Sequence, residues 1–375
     1  MTKPATAVHR PTQEHSVPWF WPMAAGIELA DEGLKLFADN VRFAAEAQAI
    51  TAPPLPAWAT DNRIMLDLAT MRLREFSRGG DAALPVVIDA PYAGHSATIA
   101  DFDKGQSLVE TILDGGLPRV LVTDWKSATE EMKYFDIDTY LAELNVAVDD
   151  LGGRVHLIGL CQGGWMSALF AARFPTKVAS LVLAGSPIDT DAGSGRIRKM
   201  AHELPMSFFD EMVAVGGGRM LGKLMLAGWK NMHPDQQYLS KYIDLYEHIE
   251  DRSYVRRTEH FEQWYENPID LPGRWYLQAI RELFKENRLA RGRFVALGRK
   301  ISLQAITVPL YLLAGEADDI TPCEQVFNAA DLVGTPARQI VRKKVPGGHI
   351  GLFMGTRTLR EAWPEIAAWI GRQHR

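Results

Sequence analysis

Cysteine is almost absent: the 375 residues carry only Cys161 and Cys323. Two thiols cannot build a framework of disulfide bridges, and no metal-ligand spacing accompanies them, so neither metal nor other cofactor is expected. Charge of one sign is lacking too. Lys and Arg number 41 against 46 Asp and Glu, a net charge of -5, which gives no electrostatic reason to expect nucleic acid as a partner. No run of about 18 apolar residues is free of charge, so no transmembrane segment is predicted. The start, MTKPATAVHRPTQEHSVPWFWPM, lacks a basic stretch followed by an apolar one and does not read as a secretory leader. A reducing cytoplasm is the resulting expectation, and it suits a free thiol. Internal repeats are absent as well.

The chain has length and apolar content for one large α/β domain with an insertion, or for two modest domains. Residues 1–80 read as an N-terminal helical extension. A polar stretch leads to Trp19-Phe20-Trp21 between prolines, either a strap docked on the body or an apolar contact surface. Helical periodicity follows over 25–49, then a proline-rich break and a second predicted helix near 61–76. From residue 84 strands and helices alternate. Apolar runs at Val86–Ile88, Val120–Val122, Val155–Ile158, Leu181–Leu183 and Leu310–Leu313, and a weaker one over 339–345, predict buried strands. Helices are expected near 104–114, 136–151, 162–174 and 357–372. This alternation implies a mostly parallel sheet flanked by helices. Residues 188–305 break the rhythm with helical stretches, which divides the core into 81–187 and 306–375 around a helical lid.

Chemistry concentrates at Gly159-Leu-Cys161-Gln-Gly163, between a predicted strand and an apolar helix. A strand-to-helix turn of the form Gly-x-nucleophile-x-Gly is a nucleophile elbow, the hallmark of the α/β-hydrolase fold. The glycines leave room for a sharp turn, and the helix N-terminus favours a thiolate and an oxyanion. A buried, inert cysteine before a tight turn is the competing reading. After the strand at 310–313, Gly315-Glu-Ala-Asp318-Asp319 supplies an acid, with Asp318 fitting better than Asp319; either could be a solvated loop carboxylate. His349, in Val345-Pro-Gly-Gly-His-Ile-Gly351, stands between glycines at a strand end and fits a general base. Cys161, Asp318, His349 is then the nucleophile–acid–base order of that fold. The backbone amide of Gln162, with that of Tyr92 or Ala93, is the expected oxyanion hole; Pro91 has no N–H to give. His95, in the same loop, either faces substrate or makes a structural hydrogen bond.

With those residues, the chain resembles the polyhydroxyalkanoate synthase and intracellular depolymerase superfamily, which also uses cysteine as nucleophile. The resemblance covers roughly residues 84–375. Gly159-Leu-Cys-Gln-Gly-Gly164 is similar to the synthase box, as is the lid segment Trp275–Leu289 to synthase cap sequence. Ala90–Thr98, Asp318-Asp319-Ile320 and the stretch from Gly348 to Arg357 are similar to depolymerase sequence, although depolymerases usually carry proline where Gly163 stands. The resemblance implies a Cys-His-Asp triad and an acyl-thioester intermediate. Hydrolysis of (R)-3-hydroxyalkanoate polyester or oligoester bonds is the leading expectation. The alternative is polymerisation of (R)-3-hydroxyacyl-CoA, a CoA thioester. A non-catalytic protein of the polymer granule surface is a third reading, and a homo-oligomer or a separate partner subunit remains open.

Overall fold

A computed structural model describes residues 54–79, 83–232 and 252–373. The predicted helix over 25–49 and Trp19-Phe20-Trp21 lie outside the described residues. The core is an eight-stranded sheet: β1 (Arg63–Asp67), β2 (Met71–Glu75), β3 (Val86–Asp89), β4 (Val120–Trp125), β5 (Val155–Leu160), β6 (Val178–Ala184), β7 (Leu310–Gly315) and β8 (Ile340–Val345). They lie in the order β1-β2-β4-β3-β5-β6-β7-β8. β1 and β2 run antiparallel, and β2 pairs antiparallel with β4; every other neighbouring pair is parallel. Every residue of β5 and β6 is buried, as expected of central strands covered on both faces.

The predicted helix near 61–76 is corrected here. That stretch forms β1 and β2. Met71, Leu73 and Glu75 point inward while Arg72 and Arg74 point out, a period of two. The residues are good helix formers, but pairing of Met71–Glu75 with Leu121–Trp125 buries Met71 and Leu73 completely. Tertiary burial outweighs the weak local propensity.

Helices α1 (Leu108–Asp114), α2 (Ile137–Asp150) and α3 (Gln162–Arg173) follow β3, β4 and β5 in turn. Side-chain oxygens start two of them: Ser107 accepts from the Glu110 N–H at 2.9 Å, and Asp136 from the Thr139 N–H at 3.2 Å. Between β6 and β7 come α4 (Arg196–Glu203), α5 (Met206–Val215), α6 (Gly222–Met232), α7 (Arg252–Tyr265) and α8 (Gly273–Gln278), the last continuing as a π-helix over Ala279–Lys285. Two-residue strands at Arg219–Met220 and Leu271–Pro272 pair within this helical segment. Trp275, 1 % exposed, packs on Trp165 of α3 and on Tyr92, fixing the segment to the core. The expected C-terminal helix is broken into α9 (Thr356–Glu361) and α10 (Trp363–Arg372), with Pro364 in the first turn of α10, where its missing N–H costs nothing. Among the described residues, no helix is long and apolar enough to cross a membrane, and no cluster of His, Cys, Asp and Glu could hold a metal ion.

Candidate active site

Cys161 is the single residue between β5 and α3. Its φ of 50° and ψ of −114° lie in a region that side-chain-bearing residues rarely adopt. The turn is pinned on both sides: the Cys161 N–H donates to the Ala184 carbonyl and the Gly164 N–H to the Cys161 carbonyl, each at 2.9 Å. Close approach of β3 to α3 demands glycine at 163, where a Cβ would stand 2.1 Å from the Asp89 carbonyl oxygen. The strained turn thrusts the thiol to the edge of a cavity of about 320 Å3, lined also by His349.

His349 follows β8 and Asp318 follows β7, so adjacent parallel strands bring the two together. His349 Nδ1 lies 2.7 Å from Asp318 Oδ2. The other Asp318 oxygen accepts from the N–H groups of Ile320 (3.1 Å) and Thr321 (2.8 Å), which holds the carboxylate in place. His349 Nε2 is buried, and the ring meets Phe353 edge-on. Burial, the largest single influence, disfavours the imidazolium. The charges of Cys161 and Asp318 and the Asp318 hydrogen bond outweigh it and hold the ring well above its ordinary pKa. Asp319 is set apart: its side chain is 41 % exposed and pairs with Arg196 Nε at 2.8 Å, at the cavity wall.

The amide of Gln162 opens α3, where helical N–H groups have no intrahelical partner. Those of Tyr92 and Ala93 take part in no hydrogen bond among the described residues. Ala93 lines the cavity, whereas the Tyr92 ring is turned into the core, its hydroxyl donating to the Lys126 carbonyl at 3.0 Å. His95 makes a structural hydrogen bond and also stands at the cavity wall. Its Nε2 donates to the Tyr265 carbonyl at 3.0 Å, its ring stacks on Trp264 and Tyr265, and it lines the cavity. Burial, aided by the Lys230 charge and opposed by the Tyr265 bond, pushes its pKa down to about 4, so the ring is neutral near pH 7.

Two features escaped the sequence. The cavity roof is aromatic, from Phe261, Trp264 and Tyr265 of α7 and Trp229 of α6; the 261/264/265 spacing on one helical face was the available signal. Beneath the elbow, Asp89 is fully buried, accepting from Ser167 Oγ at 3.0 Å and Thr123 Oγ1 at 3.3 Å. Burial raises its pKa to about 8, against the lowering effect of these bonds. A carboxyl raised in the folded state lends stability that is fully present below its unfolded pKa and is lost as pH rises through the folded one. Asp89→Asn is therefore expected to flatten the pH dependence of stability. Between about pH 4 and 8 the parent should lose up to about 1.4 kcal/mol per pH unit relative to the variant, then run parallel above. Urea midpoints at several pH values measure this; parallel curves from pH 5 to 8 would rule it out.

The sheet order, the helices on both faces and the strand–Cys–helix elbow define an α/β-hydrolase fold. Solved structures agree on the fold: a carboxylesterase of Nitrososphaera gargenis (14 % identity, TM-score 0.52, covering 83 % of this chain and 98 % of that one). A monoacylglycerol lipase of Paleococcus ferrophilus is similar at 16 % identity and TM-score 0.50, over 81 % of this chain and 99 % of that one. The chain belongs to the family described as "Protein of unknown function (DUF3141)", matched over residues 71–371. It is related to proteins named poly(3-hydroxyalkanoate) polymerase subunit PhaC. That of Haloferax mediterranei is 26 % identical over 88 % of this chain and 68 % of its own length. That of Haloarcula marismortui is 27 % identical over 76 % of this chain but only 58 % of its own length, and that of Allochromatium vinosum 23 % over 79 % and 83 %.

Proposed function

We propose that the protein is a cysteine-dependent acyltransferase acting on (R)-3-hydroxyacyl thioesters, with Cys161 as nucleophile, His349 as base and Asp318 as its orienting acid. This reverses the order of the two reactions drawn from the sequence. The observation that carries the change is the run of polymerase subunits PhaC among the relatives, matching 76 to 88 % of the chain in the first two.

In this reading His349 takes the Cys161 proton, and the Asp318 charge and hydrogen bond favour the imidazolium that results. The thiolate attacks the thioester carbonyl, and the amides of Gln162 and of Ala93 or Tyr92 hold the oxyanion. CoA leaves with the proton returned by His349. A hydroxyl of a second hydroxyacyl unit then attacks the Cys161 thioester, losing its proton to His349, and an ester bond replaces the thioester. An aromatic roof that excludes water would favour an alcohol at this step. Polyester and the granule surface are the partners that follow, in the cytoplasm. Hydrolysis shares the acyl-enzyme and differs only in letting water in; the depolymerase-like loop 90–98 favours it.

Purified protein offered both (R)-3-hydroxybutyryl-CoA and amorphous polyhydroxybutyrate tests the direction. CoA release with growing polymer is the expected result. Soluble hydroxybutyrate without CoA release would turn the assignment to hydrolysis. Polymer binding with no turnover of either would favour the granule-binding reading.

A further inference from the structure

A second cavity, of about 80 Å3, lies under the cap beside the elbow. Its walls are apolar and rich in methionine: Met200, Met212, Met220 and Met225, with Phe208 and Phe209. It adjoins the first cavity through Trp229, which lines both, and Met225 packs close to Gly94 of the loop that carries Ala93. Gln162 connects this space to the chemistry. It follows Cys161 directly as the first residue of α3, and it lines the second cavity.

Two polar atoms of this wall are buried and have no hydrogen-bond partner among the described residues: the acceptor Gln162 Oε1 and the donor Trp229 Nε1. Buried groups without partners are costly and uncommon, and a bound molecule that pairs them recovers that cost. An acyl group on Cys161 that bears a hydroxyl on its third carbon carries a donor near its carbonyl, followed by an alkyl substituent. We infer that the second cavity receives the alkyl side chain of a 3-hydroxyacyl group while Gln162 Oε1 accepts from its hydroxyl. The inference rests on the acyl-enzyme reading but not on which acceptor frees the acyl group. Size sets the preference. A cavity of roughly 150 Å3 takes a six-carbon ring, so this one takes a side chain of about three carbons. That is 3-hydroxyhexanoyl in place of 3-hydroxybutyryl.

The test follows acylation of Cys161 by intact mass and rate, using CoA thioesters of 3-hydroxybutyrate, 3-hydroxyhexanoate and hexanoate. Burying two more methylenes is expected to favour the six-carbon hydroxyacyl group by roughly tenfold in kcat/KM. Met212→Trp, which fills the cavity, should bring the six-to-four-carbon ratio down to about one. Phe208→Ala, which enlarges it, should move the optimum to longer chains. Gln162→Leu should lower the preference for 3-hydroxyhexanoyl over hexanoyl by roughly five- to tenfold. The two cavity variants change the ratio in opposite senses, so a folding defect in one cannot imitate the result. Cys161 that is acylated with no preference for six carbons, or a ratio unmoved by both variants, overturns the inference alone. Cys161 that is acylated by none of the esters overturns the catalytic reading and the inference with it.

Discussion

Cys161→Ala is expected to remove thioester and ester turnover by roughly four to six orders of magnitude in kcat/KM, with the fold retained. Alanine deletes only a sulfur at a cavity edge, so circular dichroism and thermal melting should change little. The loss follows from the division of labour at the site. In the proposed reading Cys161 would supply the bond that holds the acyl group between donor and acceptor, and the amides would stabilise an oxyanion only once that nucleophile has attacked. His349→Ala should cost nearly as much, and the double variant little more, because residues that act as one unit do not add. Asp318→Asn separates orientation from charge. The Asp318 charge and hydrogen bond help hold His349 above its usual pKa. The asparagine variant should therefore lose activity by roughly 10^4-fold and lose its residual alkaline activity at a lower pH than the parent. Turnover that survives in purified Cys161→Ala would end the covalent reading.

The parts of this molecule legible in its sequence are those whose cause is local. β5 and β6 are wholly buried and read as unbroken apolar runs, and the elbow shows because its glycines stand within two residues of Cys161. Asp318 and His349 were found by position after a strand, though only the fold brings them to 2.7 Å. What stayed hidden depends on distant partners. β2 alternates Met, Arg, Leu, Arg, but its residues favour helices, and β4, some 50 positions on, decides the matter. Asp89 is an unremarkable strand-end acid until Thr123 and Ser167 close over it. His95 could not be resolved between two roles because its partner, Tyr265, lies 170 residues away. The second cavity exists only once α4, α5 and α6 pack over Gln162.

Gly163→Ala should destabilise the protein by roughly 3 kcal/mol or more, a fall of roughly 6 °C or more in melting temperature. The added Cβ would stand 2.1 Å from the Asp89 oxygen, 2.7 Å from its carbonyl carbon and 2.8 Å from the Ala90 oxygen. All three are backbone atoms, so no side chain can rotate out of the way. β3 must move off α3, and with it the loop that carries Ala93, so the surviving folded fraction should also acylate poorly. Gly371→Ala is the control: nothing lies within 4 Å of its Cβ, and in α10 alanine is neutral or stabilises by up to about 1 kcal/mol. The same clash bears on the direction of the reaction. Proline, which depolymerases usually carry at this place, also has a Cβ, and the close approach of β3 to the elbow here leaves no room for it. Gly163→Pro should therefore fail as badly as alanine. A stable, active Gly163→Pro would show the approach to be dispensable, and would return hydrolysis to the lead.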